Sequence, residues 1–325
     1  MRMTAAAQST LKPRRLAEGN TVGLIAPASN AIENEEIGFA ADIVRSLGFE
    51  VKEGKYLYSR NQYLAGTDLQ RAEDVNLMFA DSGVDAIFCL RGGYGTPRIL
   101  PHLNFGLIGR NPKVLMGYSD ITALLTAIHV QTGLIGFHGP IANQTFSDYT
   151  LAEFRKVLVE PTATTIIGQA PPFTTAAGKV EDTNRITRFV GGTARGRLIG
   201  GNLSLLTTLI GTPFEPDFRN ALLFIEDVGE APYRVDRMLT QLWLAGKLQQ
   251  VAGIAFGKFT DQGDGSENSF SMEEVIRMRC EPLQVPTIRG LMIGHIDDQT
   301  VVPIGIEAEL NADLGTLTLL EPAVR

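Results

Sequence analysis

TVGLIAPASNAIENEEIGFAADIVRSLGFEVKEG, residues 21–54, decides the fold. TVGLI is a short apolar, β-rich run that stops at a proline-containing turn. IENEEIGFAADIVRSLG carries its apolar residues at helical spacing, and FEVKEG returns to strand character. The alternation continues through TDLQRAEDVNLMFADSG, VDAIFCL, KVLMGYS, DITALLTAIHVQTG and LIGFHGP, as far as about Tyr149. Strands that alternate with helices build a parallel sheet covered on both faces, so this half reads as a doubly wound α/β layer. In such a layer ligands sit beyond the carboxyl ends of the strands.

The alternation stops in PTATTIIGQAPPFTTAAGKVEDT, whose prolines, threonines and glycines carry no helical period. The expected organisation is a first domain over residues 1–159, a linker or embracing loop over 160–183 and a second domain over 184–325. The second part mixes ITRFVGG, RGRLIGGN, a helix from about Leu203, the strand ALLFIEDV, the helix VDRMLTQLWLAG and the strand VAGIAFGKF. It reads as a β-rich α+β domain with a partly barrel-like sheet.

Composition narrows the function classes. The 325 residues are 44% apolar and 20% charged, with 34 glycines, which suits a globular chain with many strand-to-helix turns. A net charge of −7 argues against a protein that reads a nucleic-acid backbone. Two cysteines, Cys89 and Cys280, supply no disulfide frame and point to a reducing compartment. The leading MRMTAAAQSTLKPRR has no apolar core of signal-peptide length, and no later run reaches membrane-spanning length. The expected location is the cytoplasm, with the leading stretch a disordered tail.

KVLMGYSDITALLTAIH, residues 113–129, is an apolar strand, an abrupt turn and a helix with Leu124, Leu125 and Ile128 on offer to the core. Ser119 at that turn has the placement of a nucleophile elbow, although the sequence is not Gly-x-Ser-x-Gly. A helix cap by Ser119 or Asp120 explains the same residues. In CLRGGYGTPRIL the glycines follow a strand and can aim backbone N–H groups at an oxyanion. They match neither the dinucleotide nor the P-loop pattern. Gly93 and the amide of Asp120 are candidate oxyanion donors, each typically worth about 3 kcal/mol in an acyl transfer.

Glu226 and Asp227 end the apolar strand in ALLFIEDVGEAPYRVDRML, and His295 follows another in GLMIGHIDDQ. A serine needs an imidazole base, and the imidazole needs a carboxylate to orient it. A surface acid and a carbonyl-bonded histidine account for the same two residues structurally. His138 in GFHGP is an alternative base, while His102 and His129 are weaker candidates. With no metal-binding spacing in the sequence, no metal or other cofactor is expected.

Taken together, APAS, YLAGTDLQRAEDVNLMFAD, AIFCLRGGYGTPRILPHL, KVLMGYSDITALL, GFHGP, RLIGGNLSLLTTLIGTPF, LLFIEDVGEAPYRVDRMLTQL and GLMIGHID resemble, in the same order, the L,D-carboxypeptidase family of serine peptidases. That group includes murein tetrapeptide carboxypeptidases and the microcin C immunity peptidases. The resemblance implies a flavodoxin-like or Rossmann-like N-terminal domain and a smaller β-rich C-terminal domain, with the site between them. It implies a Ser119–Glu226–His295 triad, an oxyanion hole at Gly93 and Asp120, and commonly a homodimer. The implied reaction is release of the terminal D-alanine from murein tetrapeptides during cytoplasmic cell-wall recycling. Arg91, Arg197 and Arg234 are candidates for the substrate's terminal carboxylate, because a guanidinium meets a carboxylate with two parallel bonds.

Two rival readings stand beside this one. An immunity-type peptidase that cleaves aminoacyl-nucleotide amides needs an aromatic platform, and the single tryptophan, Trp243, reads as core. A non-catalytic peptide-binding protein on the same fold has no need of an intact triad.

Overall fold

The computed structural model describes residues 10–262 and 269–325. The strands in chain order are β1 (Thr21–Ile25), β2 (Glu50–Glu53), β3 (Ala86–Cys89), β4 (Val114–Gly117), β5 (Gly136–His138), β6 (Thr165–Ile167), β7 (Thr187–Val190), β8 (Thr193–Asn202), β9 (Leu222–Val228), β10 (Gly253–Thr260), β11 (Thr287–Arg289), β12 (Val302–Ile304), β13 (Glu307–Asn311) and β14 (Thr316–Leu319). The α-helices are α1 (Glu35–Ser46), α2 (Asp68–Ala80), α3 (Thr96–Ile99), α4 (Phe105–Arg110), α5 (Ile121–Thr132), α6 (Asp148–Phe154), α7 (Leu203–Thr208), α8 (Pro232–Leu244) and α9 (Met272–Cys280).

The first sheet has the order β12-β5-β4-β3-β1-β2. Its parallel part is the flavodoxin-like order 2-1-3-4-5, which reverses direction between β1 and β3. AIFC and VLMG are buried throughout, as continuous apolar strands covered on both faces must be. β12 pairs antiparallel with β5, so a strand from the far end of the chain completes this sheet. Thr67 caps α2 in a reciprocal box with Gln70, which fixes where that helix begins.

The second sheet has the order β6-β14-β13-β8-β9-β10-β11-β7. Its edges are antiparallel, while β8, β9, β10 and β11 run parallel with α7, α8 and α9 between them. This parallel centre gives the second sheet its own row of strand carboxyl ends. Within 160–183, Thr165–Ile167 is a strand that pairs with β14. Along β9 the side chains alternate: Leu222 and Phe224 join the main core, whereas Leu223 and Ile225 join the core beneath α8 and α9.

The expectation of a disordered leading tail fails from Leu11 onward. Leu11 bridges Leu134, the Arg15 N–H donates to Arg325 O, and Leu16 is buried. Apolar contact and backbone pairing with the chain's other end outweigh its loop-like composition. Residues 1–9 lie outside the described residues. Among the described residues no helix is long and apolar enough to cross a membrane.

Candidate active site

β4 ends at Gly117 and α5 begins at Ile121, so Tyr118, Ser119 and Asp120 make the whole turn. Ser119 adopts φ +62°, in the left-handed region that a side-chain-bearing residue seldom enters. The strain turns its hydroxyl out from the strand end at the head of α5. Neither Ser119 nor Asp120 caps α5 through its side chain. Asp120 Oδ2 instead accepts the Thr96 N–H at 2.7 Å, and the Thr96 hydroxyl donates to the Asp120 carbonyl. The capping alternative therefore falls, because the carboxylate is used to dock the glycine loop onto the elbow. Burial raises the Asp120 pKa, opposed by the Thr96 bonds.

That loop runs along the reversal point of the first sheet. Ser29, in the turn after β1, accepts the Tyr94 N–H at 3.1 Å, and its own N–H donates to Gly92 O. A Cβ on Gly92 would lie 2.9 Å from the Ser119 Cβ and 3.2 Å from its Oγ, so only glycine lets the loop pass so close. Gly93, at φ +104°, is tighter still, with a Cβ there 2.5 Å from Ser29 Oγ. Among the described residues neither the Gly93 N–H nor the Asp120 N–H donates to a protein acceptor.

Glu226 and His295 come from the second sheet. The Nδ1–H of His295 donates to Glu226 Oε2 at 2.7 Å, and the carboxylate is fully buried. Burial raises the Glu226 pKa, while the bond to His295 pulls it back down. With Nδ1 engaged, Nε2 of this imidazole is the nitrogen available to accept a proton. The Tyr118 ring packs edge-on against the His295 ring at 4.7 Å, which brings the imidazole to the residue beside Ser119. No hydrogen bond joins Ser119 to His295 in this structure.

Asp227 points to the opposite face of β9 from Glu226 and has a structural task. It accepts from Asn202 Nδ2, from the N–H and hydroxyl of Ser204 and from its own neighbour Val228 N–H. The Asn202 N–H donates in turn to Thr122 on the first turn of α5. This chain ties the acid-bearing strand to the elbow helix, and sequence reading missed both Asn202 and Tyr118. Each lies inside a quoted segment, yet nothing local distinguishes it from a strand-end or core residue.

The other candidates separate cleanly. His138 is fully buried between Tyr118 and Phe224, and burial lowers its pKa to about 3, with His295 adding to the shift. A sealed neutral ring does not fit the role of base. The Nδ1–H of His129 donates to Leu134 O at 3.1 Å, and His102 lies in a short turn after α3. Arg91 adjoins Gly92, is partly exposed and is held loosely, by Asn30 O at 3.2 Å and Glu36 at 4.0 Å. Arg197 is five residues before Asn202 on β8, about 16 Å along an extended strand, and faces Glu307. Arg234 stands on the surface of α8 beside Tyr233 and Glu230. Trp243, expected in the core, is 45% exposed, about 16 Å along α8 from its start at Pro232. The amphipathic helix buries Val235, Leu239 and Leu242 and turns the tryptophan outward. Both cysteines are buried, which pushes the Cys280 thiol up to about 12 and the Cys89 thiol up as well.

Residues 22–139 match the LD-carboxypeptidase N-terminal domain and residues 195–310 the LD-carboxypeptidase C-terminal domain. The chain belongs to the LD-carboxypeptidase family. A Bacillus subtilis relative named probable murein peptide carboxypeptidase is 42% identical over 306 residues, covering 92% of this chain and 91% of its own. The murein tetrapeptide carboxypeptidase of Pseudomonas aeruginosa is 32% identical, covering 90% of this chain and 93% of its own. Among solved structures, MccF in complex with glutamyl sulfamoyl guanosine superposes with a TM-score of 0.86 at 26% identity, covering 97% of this chain and all of its own. The family's two matched regions each bring one side of the site: the elbow and glycine loop lie in the first, Glu226 and His295 in the second.

Proposed function

We propose that the protein is a serine-type L,D-carboxypeptidase that removes the terminal D-alanine from murein tetrapeptides in the cytoplasm, and that it acts as a homodimer. The observation that carries the reading is the His295–Glu226 hydrogen bond at 2.7 Å beside a serine held at φ +62°. Ser119 Oγ attacks the carbonyl between the L-centre of the diamino acid and D-alanine, while His295 Nε2 takes the hydroxyl proton. The amides of Gly93 and Asp120 receive the negative charge that grows on the carbonyl oxygen. As the C–N bond breaks, His295 returns the proton to the departing amine. Water then cleaves the Ser119 ester with the same base. Arg91, next to Gly92 and only loosely engaged, is the favoured partner for the terminal carboxylate.

A second reading, an immunity-type peptidase that cleaves aminoacyl-nucleotide amides, is favoured by the similarity to MccF bound to glutamyl sulfamoyl guanosine. The outward position of Trp243 on α8 weighs against a tryptophan platform for the base.

Mass-spectrometric analysis of L-Ala-γ-D-Glu-meso-diaminopimelate-D-Ala after incubation with the protein and with Ser119→Ala tests the proposal. The expected result is loss of one D-alanine with the wild type alone. Release by both proteins removes Ser119 from its role. Release by neither, with turnover of a glutamyl sulfamoyl nucleotide, replaces the first reading by the second.

A further inference from the structure

His295 lies in the stretch between β11 and β12, and the hydrogen bonds that shape that stretch come from the start of α6, beyond the strand that follows the elbow helix. The Thr150 side chain is fully buried. Its hydroxyl donates to Asp297 O at 2.9 Å and accepts the Gln299 N–H at 2.9 Å, so one side chain holds both ends of a short arc. Ser147, which caps α6 by accepting the Thr150 N–H, donates its hydroxyl to Asp298 Oδ1 at 2.6 Å. Gln299 is also fully buried, and its Nε2 reaches back to Gly294 O at 2.6 Å. Gly294 is the residue immediately before His295, so the bonds run without a break from α6 to the backbone of the imidazole.

We propose that Thr150 and Gln299 are positioning residues that hold His295 in its Glu226-bonded pose next to Ser119. A helix cap and a surface loop need no such arrangement. Thr150 is not the N-cap of α6, and its hydroxyl satisfies backbone groups 147 and 149 residues away. Because α6 follows directly on the β4–α5–β5 unit that carries Ser119, the clamp refers the base to the same framework as the nucleophile. Small errors in such a distance cost large factors in rate. The inference concerns the pose of His295. Its kinetic arm rests on the peptidase reading, and its spectroscopic arm does not.

The test compares Thr150→Val, which keeps the shape and removes the hydroxyl, with Thr150→Ser, which keeps the hydroxyl, and with Gln299→Leu, which deletes the bond to Gly294. Proton NMR of the protein alone follows the downfield Nδ1–H of His295 bound to the buried carboxylate, assigned by its loss in His295→Ala. Loss or broadening of this resonance is expected in Thr150→Val and Gln299→Leu at temperatures where both are folded, with recovery in Thr150→Ser. On the tetrapeptide, kcat is expected to fall about 10- to 100-fold with KM within about threefold, as for a misplacement that leaves substrate binding intact. An unchanged resonance in both folded variants overturns the proposal whatever the substrate is. An inactive wild type with the expected loss of the resonance instead overturns the peptidase reading and leaves the clamp standing. Should Thr150→Val not fold, Gln299→Leu carries the same comparison.

Discussion

Gly294 packs so close to Glu226 that a side chain there would force the carboxylate or the loop to give way. A Cβ built at Gly294 lies 3.0 Å from both the Cβ and Oε2 of Glu226 and 3.1 Å from Lys258 O, on a backbone with φ +121°. The imidazole next in sequence donates to that same Oε2. Bringing the His295 backbone this close to a buried carboxylate requires glycine on both steric and conformational grounds.

Gly294→Ala therefore either pushes the carboxylate away or moves the loop, and both disturb the His295–Glu226 bond. The expected outcome is a loss of about 1–3 kcal/mol in stability from the forbidden backbone conformation. Turnover should fall by about 100-fold through misplaced groups. Thermal unfolding and steady-state kinetics on the tetrapeptide measure the two effects separately. A variant with wild-type turnover would show that the approach of Gly294 to Glu226 has no bearing on the reaction.

A buried carboxyl on α2, outside the candidate triad, makes stability depend on pH. Asp74 on α2 is 3% exposed, and burial raises its pKa to about 6 against the hydrogen bonds it accepts from the backbone at Tyr56 and Lys55. Between its unfolded value of 3.8 and about 6, the native state holds a proton that the unfolded chain has released. Stability from this group is thus fully present below pH 3.8 and is lost as pH rises through 6. Asp74→Asn keeps the shape and removes the titration. Its stability relative to the wild type should improve by about 1–3 kcal/mol between pH 4 and pH 7. Urea unfolding at both pH values checks this, and a difference that is constant with pH contradicts it.

Much of the site was legible in the sequence because strand ends are legible. Apolar runs fix where VLMG and LLFIEDV stop, and the reactive residue types sit at those stops. Whether Ser119 or Asp120 caps α5 was not legible, since the Asp120 carboxylate is taken up by Thr96, 24 residues earlier. The placement of Val302–Ile304 in the first sheet was hidden for a similar reason: three residues carry no period, and their partner β5 is remote in the chain. The strand β6 is hidden in the sequence because TII stands alone among prolines and threonines and its partner β14 is remote in the chain. Trp243 reads as core from its place in the helical TQLWLAG, whereas Val235, Leu239 and Leu242 already supply the buried face of α8 and leave it outside.

His138 separates the two ways in which a histidine can stand near a site. Among the described residues neither ring nitrogen has a protein hydrogen-bond partner although the side chain is fully buried, and Tyr118 packs edge-on against both its ring and that of His295. A buried polar group without a partner costs about 1–3 kcal/mol. Phenylalanine fills the same flat space against Tyr118 and Phe224 without that cost. His138→Phe should accordingly match or exceed the wild type in melting temperature and keep turnover within about fivefold, well short of the 10²–10⁴-fold that an acid–base group supplies. His295→Ala, assayed alongside, should lose activity by a factor in that larger range. Collapse of turnover in a stably folded His138→Phe would assign His138 a part in the proton transfer that its burial and its low pKa argue against.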